Sequence, residues 1–306
     1  MNSEKWTTNN ISSLVGKTII VTGGNSGLGI ESVKAFAEKG ARVIMTCRDL
    51  KKGQDAKNEL LKTNSGAEVV VMQLDLMDLT SIHKFAGEFK INHANLHVLL
   101  NNAGIMRVPY RLSKDGIESQ QATNHFGHFA LTALLLDPLK NTPGSRVVNV
   151  SSLAHRLGVM DFDNLLYEGA KDYNPMKSYG RSKLENLLFT FELQRYFEAN
   201  GFDTIAVAAH PGVSNTNLFN HLGGKFLQLL LRPLVSIFVQ PSAMGALPQL
   251  RASVDPQVNA GAYYGPDGRR EMKGYPIVVQ PNNTATDERS ARKLWEISEK
   301  ITGVKY

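Results

Sequence analysis

Short apolar runs rich in valine and isoleucine alternate along this chain with longer segments of helical period. Repeated strand–helix units of this kind place successive strands parallel to one another in a sheet. Strands that are apolar on both faces also suit a sheet that helices cover on each side. The pattern therefore predicts an α/β fold with a doubly wound parallel sheet. The predicted strands, about seven in number, cover residues 18–22, 42–46, 68–73, 98–101, 146–150, 204–210 and 262–264.

The segments between these strands have helical period, and together with the strands they indicate the domain organisation. Helices are predicted at 28–39, from about residue 50, at 178–200 and at 287–302. No repeat, low-complexity tract or linker interrupts the alternation before about Pro211. We therefore expect a short arm at 1–15 and one domain at 16–306. Within that domain, a lid at about 213–241 and a C-terminal cap at about 255–306 are expected to shape a pocket.

One strongly apolar segment, residues 226–238, lies within the expected lid. Arg232 and Pro233 interrupt it, and it is shorter than the about 20 apolar residues that a membrane-spanning helix needs. We interpret it as a helical lid over an apolar substrate. A peripheral membrane contact or a dimer surface is the alternative.

Composition narrows the class of protein without changing the predicted fold. With 42% hydrophobic and 20% charged residues, the chain is neither disordered nor a membrane bundle. Its single cysteine, Cys47, excludes an internal disulfide, and no Cys/His cluster has metal-ligand spacing, so no metal is expected. The net charge of +6 is spread without a basic block, which argues against nucleic acid as a partner. Residues 1–15 lack a targeting signal, so a reducing, cytoplasmic location is expected.

A glycine-rich loop, Thr-Gly-Gly-Asn-Ser-Gly-Leu-Gly at 22–29, follows the first predicted strand and opens directly into a helix. Glycine permits a tight turn and a close backbone approach, and the amides at the start of a helix attract a pyrophosphate. In this context the loop predicts a dinucleotide site. Its predicted contacts are Gly23, Asn25, Ser26, Gly27, Leu28 and Gly29.

Arg48 follows the second predicted strand and carries a positive charge at the same edge of the sheet. A guanidinium can pair with the 2′-phosphate of NADP and stack on the adenine, whereas a carboxylate would repel that phosphate. The sequence therefore favours NADP(H) as cofactor. Asp49, the next residue, keeps NAD(H) open as the alternative.

Tyr179 and Lys183 are four residues apart, which places them on one face of the helix predicted at 178–200. A nearby ammonium stabilises a phenolate, so we expect it to lower the pKa of the tyrosine from its usual value of about 10. Ser151 and Ser152 follow the strand predicted at 146–150, at the end where open α/β sheets bind ligands. A serine hydroxyl there can donate a hydrogen bond to a substrate oxygen.

Taken in order, these motifs resemble those of the short-chain dehydrogenase/reductase family. The resemblance includes the glycine spacing, Asn101-Asn102-Ala103-Gly104, the serine pair and Tyr-x-x-x-Lys. It implies a Rossmann-type sheet with strand order 3-2-1-4-5-6-7. It also implies hydride transfer between nicotinamide C4 and a carbonyl or carbinol carbon, with Tyr179 as general acid and base.

The resemblance also assigns further site residues. It implies a catalytic tetrad of Asn124, Ser152, Tyr179 and Lys183, in which Ser152 is chosen over Ser151 because the family's motif uses the second serine. The cofactor contacts that it implies beyond the glycine loop and Arg48 are Asp75, Leu76, Asn102, Ala103, Gly104, Tyr179, Lys183, Pro211, Gly212 and Val213. The long helices at 119–139 and 179–200 resemble those that pair in family dimers, so a homodimer or homotetramer is expected.

Within the family, residues 124–129 and 151–155 are similar to the branch of retinol dehydrogenases, protochlorophyllide reductases and WW-domain oxidoreductases. An insertion at 157–177 is expected to border the active site. The predicted substrate is an apolar carbonyl or alcohol, retinal-like or another aldehyde or ketone. Reduction of a carbon–carbon double bond and non-catalytic, regulatory NADP(H) binding are the alternatives. Four of the eight histidines are interpreted as packing or surface residues: His83, His125, His128 and His155.

Overall fold

The computed structural model describes residues 5–214 and 240–306 and contains an eight-stranded sheet in the order β3-β2-β1-β4-β5-β6-β7-β8. Neighbouring strands are parallel except for the antiparallel pair β7 and β8. The predicted Rossmann-type order is therefore confirmed for seven strands. The strands are β1 Thr18–Val21, β2 Arg42–Cys47, β3 Val69–Gln73, β4 Val98–Asn101, β5 Arg146–Val150, β6 Ile205–Ala209, β7 Tyr263–Pro266 and β8 Pro276–Val278.

The eighth strand adds to the predicted sheet. It is three residues long, and Ile277 and Val278 are 38% and 51% exposed. A strand this short, with exposed apolar side chains, shows no alternation of polar and apolar residues. The sequence therefore did not predict it. The strand forms because its backbone pairs with β7.

Helices cover both faces of the sheet, and several begin at a polar cap. Asp49, Asp78 and Asp287 each accept a hydrogen bond from a backbone amide in the first turn of their helix. The helices of the described residues, numbered in order, are α1 Gly27–Glu38, α2 Leu50–Thr63, α3 Leu79–Asn92, α4 Ser119–Gln121, α5 Gly127–Leu134, α6 Leu136–Lys140, α7 Pro175–Ala199, α8 Ser242–Val254 and α9 Glu288–Thr302.

Helix α7 begins three residues before the predicted start at 178. The Asn174 side chain accepts hydrogen bonds from the amides of Met176 and Lys177, and Pro175 occupies the first turn. Both features favour a helix start, because the cap satisfies free amides and proline has no amide to satisfy. The extra turn therefore comes from the end of the insertion.

The two faces of the sheet have separate hydrophobic cores. On β1, Ile19 and Val21 belong to the same hydrophobic cluster as Phe36 of α1, whereas Ile20 between them belongs to the cluster of Phe129 of α5 on the opposite face. Alternate residues of a strand point to opposite faces, so an apolar run is buried throughout only when both faces are covered. This is the physical basis of the doubly wound arrangement.

The N-terminal residues that precede β1 also contact this core. Trp6, Ile11 and Leu14 are buried in the cluster that contains Phe36. The amide of Leu14 donates a 2.7 Å hydrogen bond to the carbonyl of Lys39. The described part of the segment expected as a short arm therefore packs against the end of α1.

One side chain of α7, Arg181, binds three carbonyl groups of the insertion at 157–177. The Arg181 guanidinium donates to the carbonyl oxygens of Val159 at 3.0 Å, Asn164 at 2.7 Å and Leu165 at 3.0 Å. Arg181 is 6% exposed, so these bonds satisfy a buried charge. The insertion is thereby fixed beside the helix that carries Tyr179 and Lys183.

Most of the expected lid, including the apolar segment at 226–238, lies outside the described residues. Among the residues that the structure does describe, no helix is long and apolar enough to cross a membrane.

Candidate active site

The glycine loop forms a turn whose backbone conformation and spacing require glycine. Gly23 and Gly27 have φ of +62° and +55°, in the left-handed region that favours glycine. A Cβ at Gly29 would lie 2.2 Å from the carbonyl oxygen of Gly23 and 2.8 Å from Nδ2 of Asn102. Ser26 precedes α1 without a side-chain hydrogen bond to its first amides. The loop thus leaves a backbone cradle at a helix start, as a pyrophosphate needs.

Thr22 joins this loop to the end of β4. Its Oγ1 accepts hydrogen bonds of 2.9 Å from the amides of both Asn102 and Ala103. Nδ2 of Asn102 donates to the carbonyl of Thr22 at 2.8 Å. These bonds hold the segment 102–104 against the glycine loop, where the two strand ends lie side by side.

Tyr179, Ser152 and Lys183 meet at the ends of β5 and α7. The Ser152 hydroxyl interacts with the Tyr179 phenol. Nζ of Lys183 lies 5.8 Å from the centre of the Tyr179 ring and donates a 2.9 Å hydrogen bond to the carbonyl of Val150. The structure therefore brings together the phenol, hydroxyl and ammonium that the sequence assigned to one site.

Burial sets the protonation of this group. Desolvation raises the pKa of Tyr179, while the hydrogen bond from Ser152 acts in the opposite direction. Burial lowers the pKa of Lys183 to about 8. The expected lowering of the tyrosine pKa is wrong for this structure, because desolvation of the phenolate has the largest effect and raises that pKa. Tyr179 keeps its proton at neutral pH and is suited to donate it.

The two serines after β5 have different surroundings. Ser151 is 2% exposed, and its Oγ donates a 2.7 Å hydrogen bond to the carbonyl of Lys183. It fastens α7 to the sheet. Ser152 begins the turn Leu153–Leu157 and faces the phenol. This difference supports the choice of Ser152 as the serine of the reaction.

Asn124 lies in a π-helical turn, Ala122–Phe126, directly before α5. Its side chain exchanges hydrogen bonds of 2.9 and 3.0 Å with the backbone of Ile105 and donates at 2.8 Å to Oγ of Ser182. A Cβ at Gly104 would lie 3.2 Å from Oδ1 of Asn124 and 3.4 Å from Nζ of Lys183. Asn124 and Lys183 therefore converge on the same short backbone segment.

The remaining predicted cofactor residues lie along the same edge of the sheet. Arg48 is exposed at the end of β2, and its carbonyl accepts a 3.2 Å hydrogen bond from Gln73. Asp75 Oδ1 accepts at 3.0 Å from the amide of Met77, and Leu76 is buried. Residues 211–213 follow β6, and the amide of Val213 donates a 2.7 Å hydrogen bond to the carbonyl of Met272.

The histidines of this region have structural surroundings. Burial lowers the pKa of His125 and His128 to about 3 and that of His155 to about 4. Nε2 of His128 lies 2.9 Å from Oγ1 of Thr22, and Nδ1 of His155 lies 2.7 Å from the carbonyl of Ser152. Neutral, packed imidazoles of this kind support the packing interpretation. His83 is exposed, and the described residues contain no group of side chains that could hold a metal ion.

Sequence reasoning missed Glu118, a fully buried carboxylate that binds both α4 and α7. It caps α4 by accepting from the amides of Gln120 at 2.9 Å and Gln121 at 3.1 Å. It also accepts a 2.8 Å hydrogen bond from Oγ of Ser178, the residue before Tyr179. Glu118 has no motif around it, and only its contact with Ser178, distant in sequence, reveals the connection.

A second buried carboxyl, that of Glu185 on α7, was also missed. Neither of its oxygens has a hydrogen-bond partner among the described residues. Burial raises its pKa to about 8, while Arg181 acts to lower the pKa and Glu118 to raise it. The side chain is therefore protonated at neutral pH, at a cost to stability that depends on pH.

Replacing Glu185 with glutamine is expected to raise the free energy of unfolding by about 2–5 kcal/mol near pH 8.5 and to change it little near pH 5. The folded pKa of about 8 lies above the ordinary value of 4.5. Between these values the unfolded chain releases a proton that the folded protein keeps, so stability falls as the pH rises. Glutamine does not titrate, so the variant does not lose this free energy of unfolding as the pH rises.

Urea unfolding at the two pH values measures the difference. Glu192→Gln is the control, because Glu192 lies on the same helix but pairs with Arg195 near the surface. An equal gain for Glu185→Gln at both pH values would show that the buried carboxyl does not titrate as described.

Comparison with known proteins agrees with this geometry. A family model described as short chain dehydrogenase matches residues 17–223. Human retinol dehydrogenase 11 is 39% identical over 295 residues, covering 95% of this chain and 87% of that protein. Retinol dehydrogenase 12 from Bos taurus is also 39% identical over 295 residues, covering 96% of this chain and 88% of that protein.

Solved structures extend the match to three dimensions. The crystal structure of an uncharacterized protein from Mycobacterium paratuberculosis superimposes with a TM-score of 0.82 at 38% identity, covering 99% of each chain. The sequence matches run across nearly the whole chain and include every strand end that builds the site. The chain therefore belongs to the short-chain dehydrogenase/reductase family of oxidoreductases, in its retinol dehydrogenase-like branch.

Proposed function

We propose that this protein is an NADP(H)-dependent oxidoreductase that interconverts a carbonyl and an alcohol on an apolar substrate. The observation that carries the proposal is the meeting of the Tyr179 phenol, the Ser152 hydroxyl and the Lys183 ammonium. Lys183 lies against Gly104, while Ala103 lies against Gly23 of the glycine loop. The proton-transfer groups and the nucleotide cradle therefore both contact the segment 103–104. This segment lies at the edge where open α/β sheets bind ligands.

The residues present fit a dinucleotide. The turn at Gly23 and Gly27 and the close approach at Gly29 leave the amides of α1 open to a pyrophosphate. Arg48, exposed at the end of β2, is the residue that would meet a 2′-phosphate. The residues that would hold the cofactor are Gly23, Asn25, Ser26, Gly27, Leu28, Gly29, Arg48, Asp75, Leu76, Asn102, Ala103, Gly104, Tyr179, Lys183, Pro211, Gly212 and Val213.

The mechanism assigns one task to each side chain of the tetrad. NADPH, when bound, supplies the hydride to the carbonyl carbon. Tyr179 donates its proton to the carbonyl oxygen, which completes the alcohol, and its raised pKa keeps that proton available at neutral pH. Ser152 orients the oxygen by a hydrogen bond. Lys183 would hold the nicotinamide ribose, and Asn124 would support a path by which water returns the proton.

The apolar substrate class is supported by exposed apolar side chains that follow Ser152 closely in the chain. Leu157, the last residue of the turn that begins at Ser152, and Val159, two residues further on, are 59% and 68% exposed. Exposed apolar side chains so close in sequence to Ser152 suit a substrate with an apolar body and one oxygen. The relatives named retinol dehydrogenase support the same class, so we propose a retinal-like aldehyde or another apolar aldehyde or ketone.

A panel of substrates tests cofactor, reaction and substrate together. NADPH and NADH oxidation would be followed with long-chain aldehydes, retinoids, ketones and enones. We expect NADPH-dependent turnover of the apolar aldehydes. Turnover restricted to small charged ketones would contradict the substrate class, and turnover restricted to enones would assign reduction of the carbon–carbon double bond instead.

The cofactor preference can be tested at Arg48. Arg48→Asp is expected to weaken NADPH binding by about 10- to 100-fold and NADH binding far less, because a carboxylate repels the 2′-phosphate that the guanidinium pairs with. Calorimetric titration with both nucleotides measures the change. Arg42→Asp reverses the same charge at the opposite end of β2 and serves as control. An unchanged ratio of NADPH to NADH affinity would remove Arg48 from the nucleotide site.

A further inference from the structure

Three side chains from separate segments meet beside the proposed nicotinamide end of the site. Oε1 of Glu271 lies 2.7 Å from Nη2 of Arg156, and Oε2 lies 3.0 Å from Nε2 of His210. The amide of Gly212 donates a 3.2 Å hydrogen bond to Nδ1 of His210. Nδ1 therefore accepts, so the proton of the neutral imidazole lies on Nε2 and is donated to the carboxylate. Each oxygen of Glu271 has its own partner.

The protonation states favour this arrangement. Burial lowers the pKa of His210, which keeps the imidazole neutral, although Glu271 acts to raise that pKa. The hydrogen bond from His210 lowers the pKa of Glu271, with Arg156 acting in the same direction. The carboxylate is thus ionised and accepts from both neighbours.

Residues 269–274, which we call the strap, lie directly on the turn 211–213. The carbonyl of Met272 accepts a 2.7 Å hydrogen bond from the amide of Val213. A Cβ at Gly212 would lie 2.4 Å from that same carbonyl oxygen. Gln240 strengthens the contact, since it accepts from the amide of Gly274 at 3.0 Å and donates to the carbonyl of Pro211 at 2.8 Å. The strap therefore fixes the backbone of the turn.

The strap has a strained backbone at the residues that form the network. Arg270 and Glu271 have φ of +54° and +57°, in the left-handed region that residues other than glycine rarely adopt. Two such residues in succession persist only where the surrounding contacts hold them, and such strain concentrates at functional sites. The two bonds of the Glu271 carboxylate are contacts of that kind.

The other end of the network reaches the turn that begins at Ser152. Arg156 lies in this turn, Leu153–Leu157, and Nδ1 of His155 lies 2.7 Å from the carbonyl of Ser152. One carboxylate therefore connects the turn after the proposed catalytic serine with the turn after β6. In the proposed function, these two turns flank the reacting carbon and oxygen.

We propose that Glu271 is a positioning residue that holds the turn at 211–213 against the nicotinamide end of the cofactor and in register with Ser152. The inference rests on the proposed function. An isolated ion pair near the surface contributes little to stability, so a purely structural role does not account for a strained segment bound at both ends. The carboxylate acts through the two turns and touches no reacting atom.

The test compares two nucleotides that differ in whether they reach the turn. NADPH contains the nicotinamide, whereas 2′,5′-ADP contains only the adenosine part with its 2′-phosphate. Glu271→Ala is expected to weaken NADPH binding and lower turnover by about tenfold each, as for loss of a hydrogen bond to a charged group. Binding of 2′,5′-ADP and the KM of the aldehyde are expected to stay within about twofold. Calorimetric titration and steady-state kinetics measure these quantities.

Two further variants keep the test decisive. Glu271→Gln retains the shape and an acceptor for His210 but loses the charge that pairs with Arg156, so a roughly threefold loss of NADPH affinity is expected even if the alanine variant folds poorly. Glu192→Ala is the control, because Glu192 is 18% exposed and pairs with Arg195 on α7, whereas Glu271 is 23% exposed. The control is expected to bind both nucleotides as the parent does.

The outcomes separate this inference from the proposed function. Equal weakening of NADPH and 2′,5′-ADP in the Glu271 variants, or a lower melting temperature with unchanged NADPH binding and turnover, would show a merely structural role and overturn the inference. A parent protein that binds neither nucleotide would overturn the proposed function itself. Selective loss of NADPH binding, with 2′,5′-ADP unaffected, supports both.

Discussion

Tyr179→Phe is expected to lower turnover by about 10²- to 10⁴-fold while leaving NADPH binding nearly unchanged. The change removes only the hydroxyl that donates the proton, and the ring keeps its place beside Ser152 and Lys183. Nucleotide contacts along the glycine loop are unaffected by it. Single-turnover kinetics with a saturating apolar aldehyde, together with calorimetric titration of NADPH, measure the two effects separately.

Tyr196→Phe is the matched control for this substitution. Tyr196 lies on the same helix, α7, and packs against Trp295 with ring centres 5.6 Å apart, outside the proposed site. Its loss of a hydroxyl is expected to leave turnover unchanged. If Tyr179→Phe keeps turnover within a few-fold of the parent, proton donation by Tyr179 is wrong, and the non-catalytic alternative of a regulatory NADP(H)-binding protein becomes the better account.

Gly29→Ala is expected to weaken binding of both NADPH and NADH by about 10- to 100-fold. The added Cβ would lie 2.2 Å from the carbonyl oxygen of Gly23, a distance that backbone atoms cannot accept, so the loop must move. Overpacking of this kind costs about 1–3 kcal/mol, and each 1.4 kcal/mol corresponds to a tenfold change in affinity. Because the pyrophosphate is common to both cofactors, their affinities are expected to fall together.

Gly87→Ala provides the control for this change. Gly87 also lies within a helix, α3, and nothing lies within 4 Å of the Cβ that alanine would add. This variant is expected to bind nucleotides as the parent does and to melt at the same or a slightly higher temperature, since alanine favours the helix. Calorimetric titration and thermal melting measure both variants. Parental affinity in Gly29→Ala would show that the cradle does not hold the cofactor.

The sheet was predictable because its signals are local. Ile19, Ile20 and Val21 belong to a run that is buried on both faces, and such a run indicates a covered parallel strand without knowledge of its neighbours. The i, i+4 spacing of Tyr179 and Lys183 is likewise a property of one helix. By contrast, β8 has only three residues and forms through its pairing with β7.

The electrostatics of the site were harder to predict. The sequence places an ammonium near the Tyr179 phenol and suggests a lowered pKa, but the extent of desolvation depends on what packs around the ring. In the folded protein, desolvation has the largest effect on the Tyr179 phenol and raises its pKa. A phenol with a raised pKa is protonated at neutral pH, so Tyr179 is suited to donate a proton.

By itself, the sequence determined the seven-stranded parallel core and the residue types that gather at one edge of it, because hydrophobic period, glycine spacing and helical spacing act over a few residues. Only the tertiary structure decided which hydrogen bonds hold those residues in place and how burial shifts their pKa values. Glu118 reaches Ser178, and Glu271 reaches both Arg156 and His210, across long separations in the chain. Hydrogen bonds and desolvation of this kind depend on distances that exist only after the chain has folded.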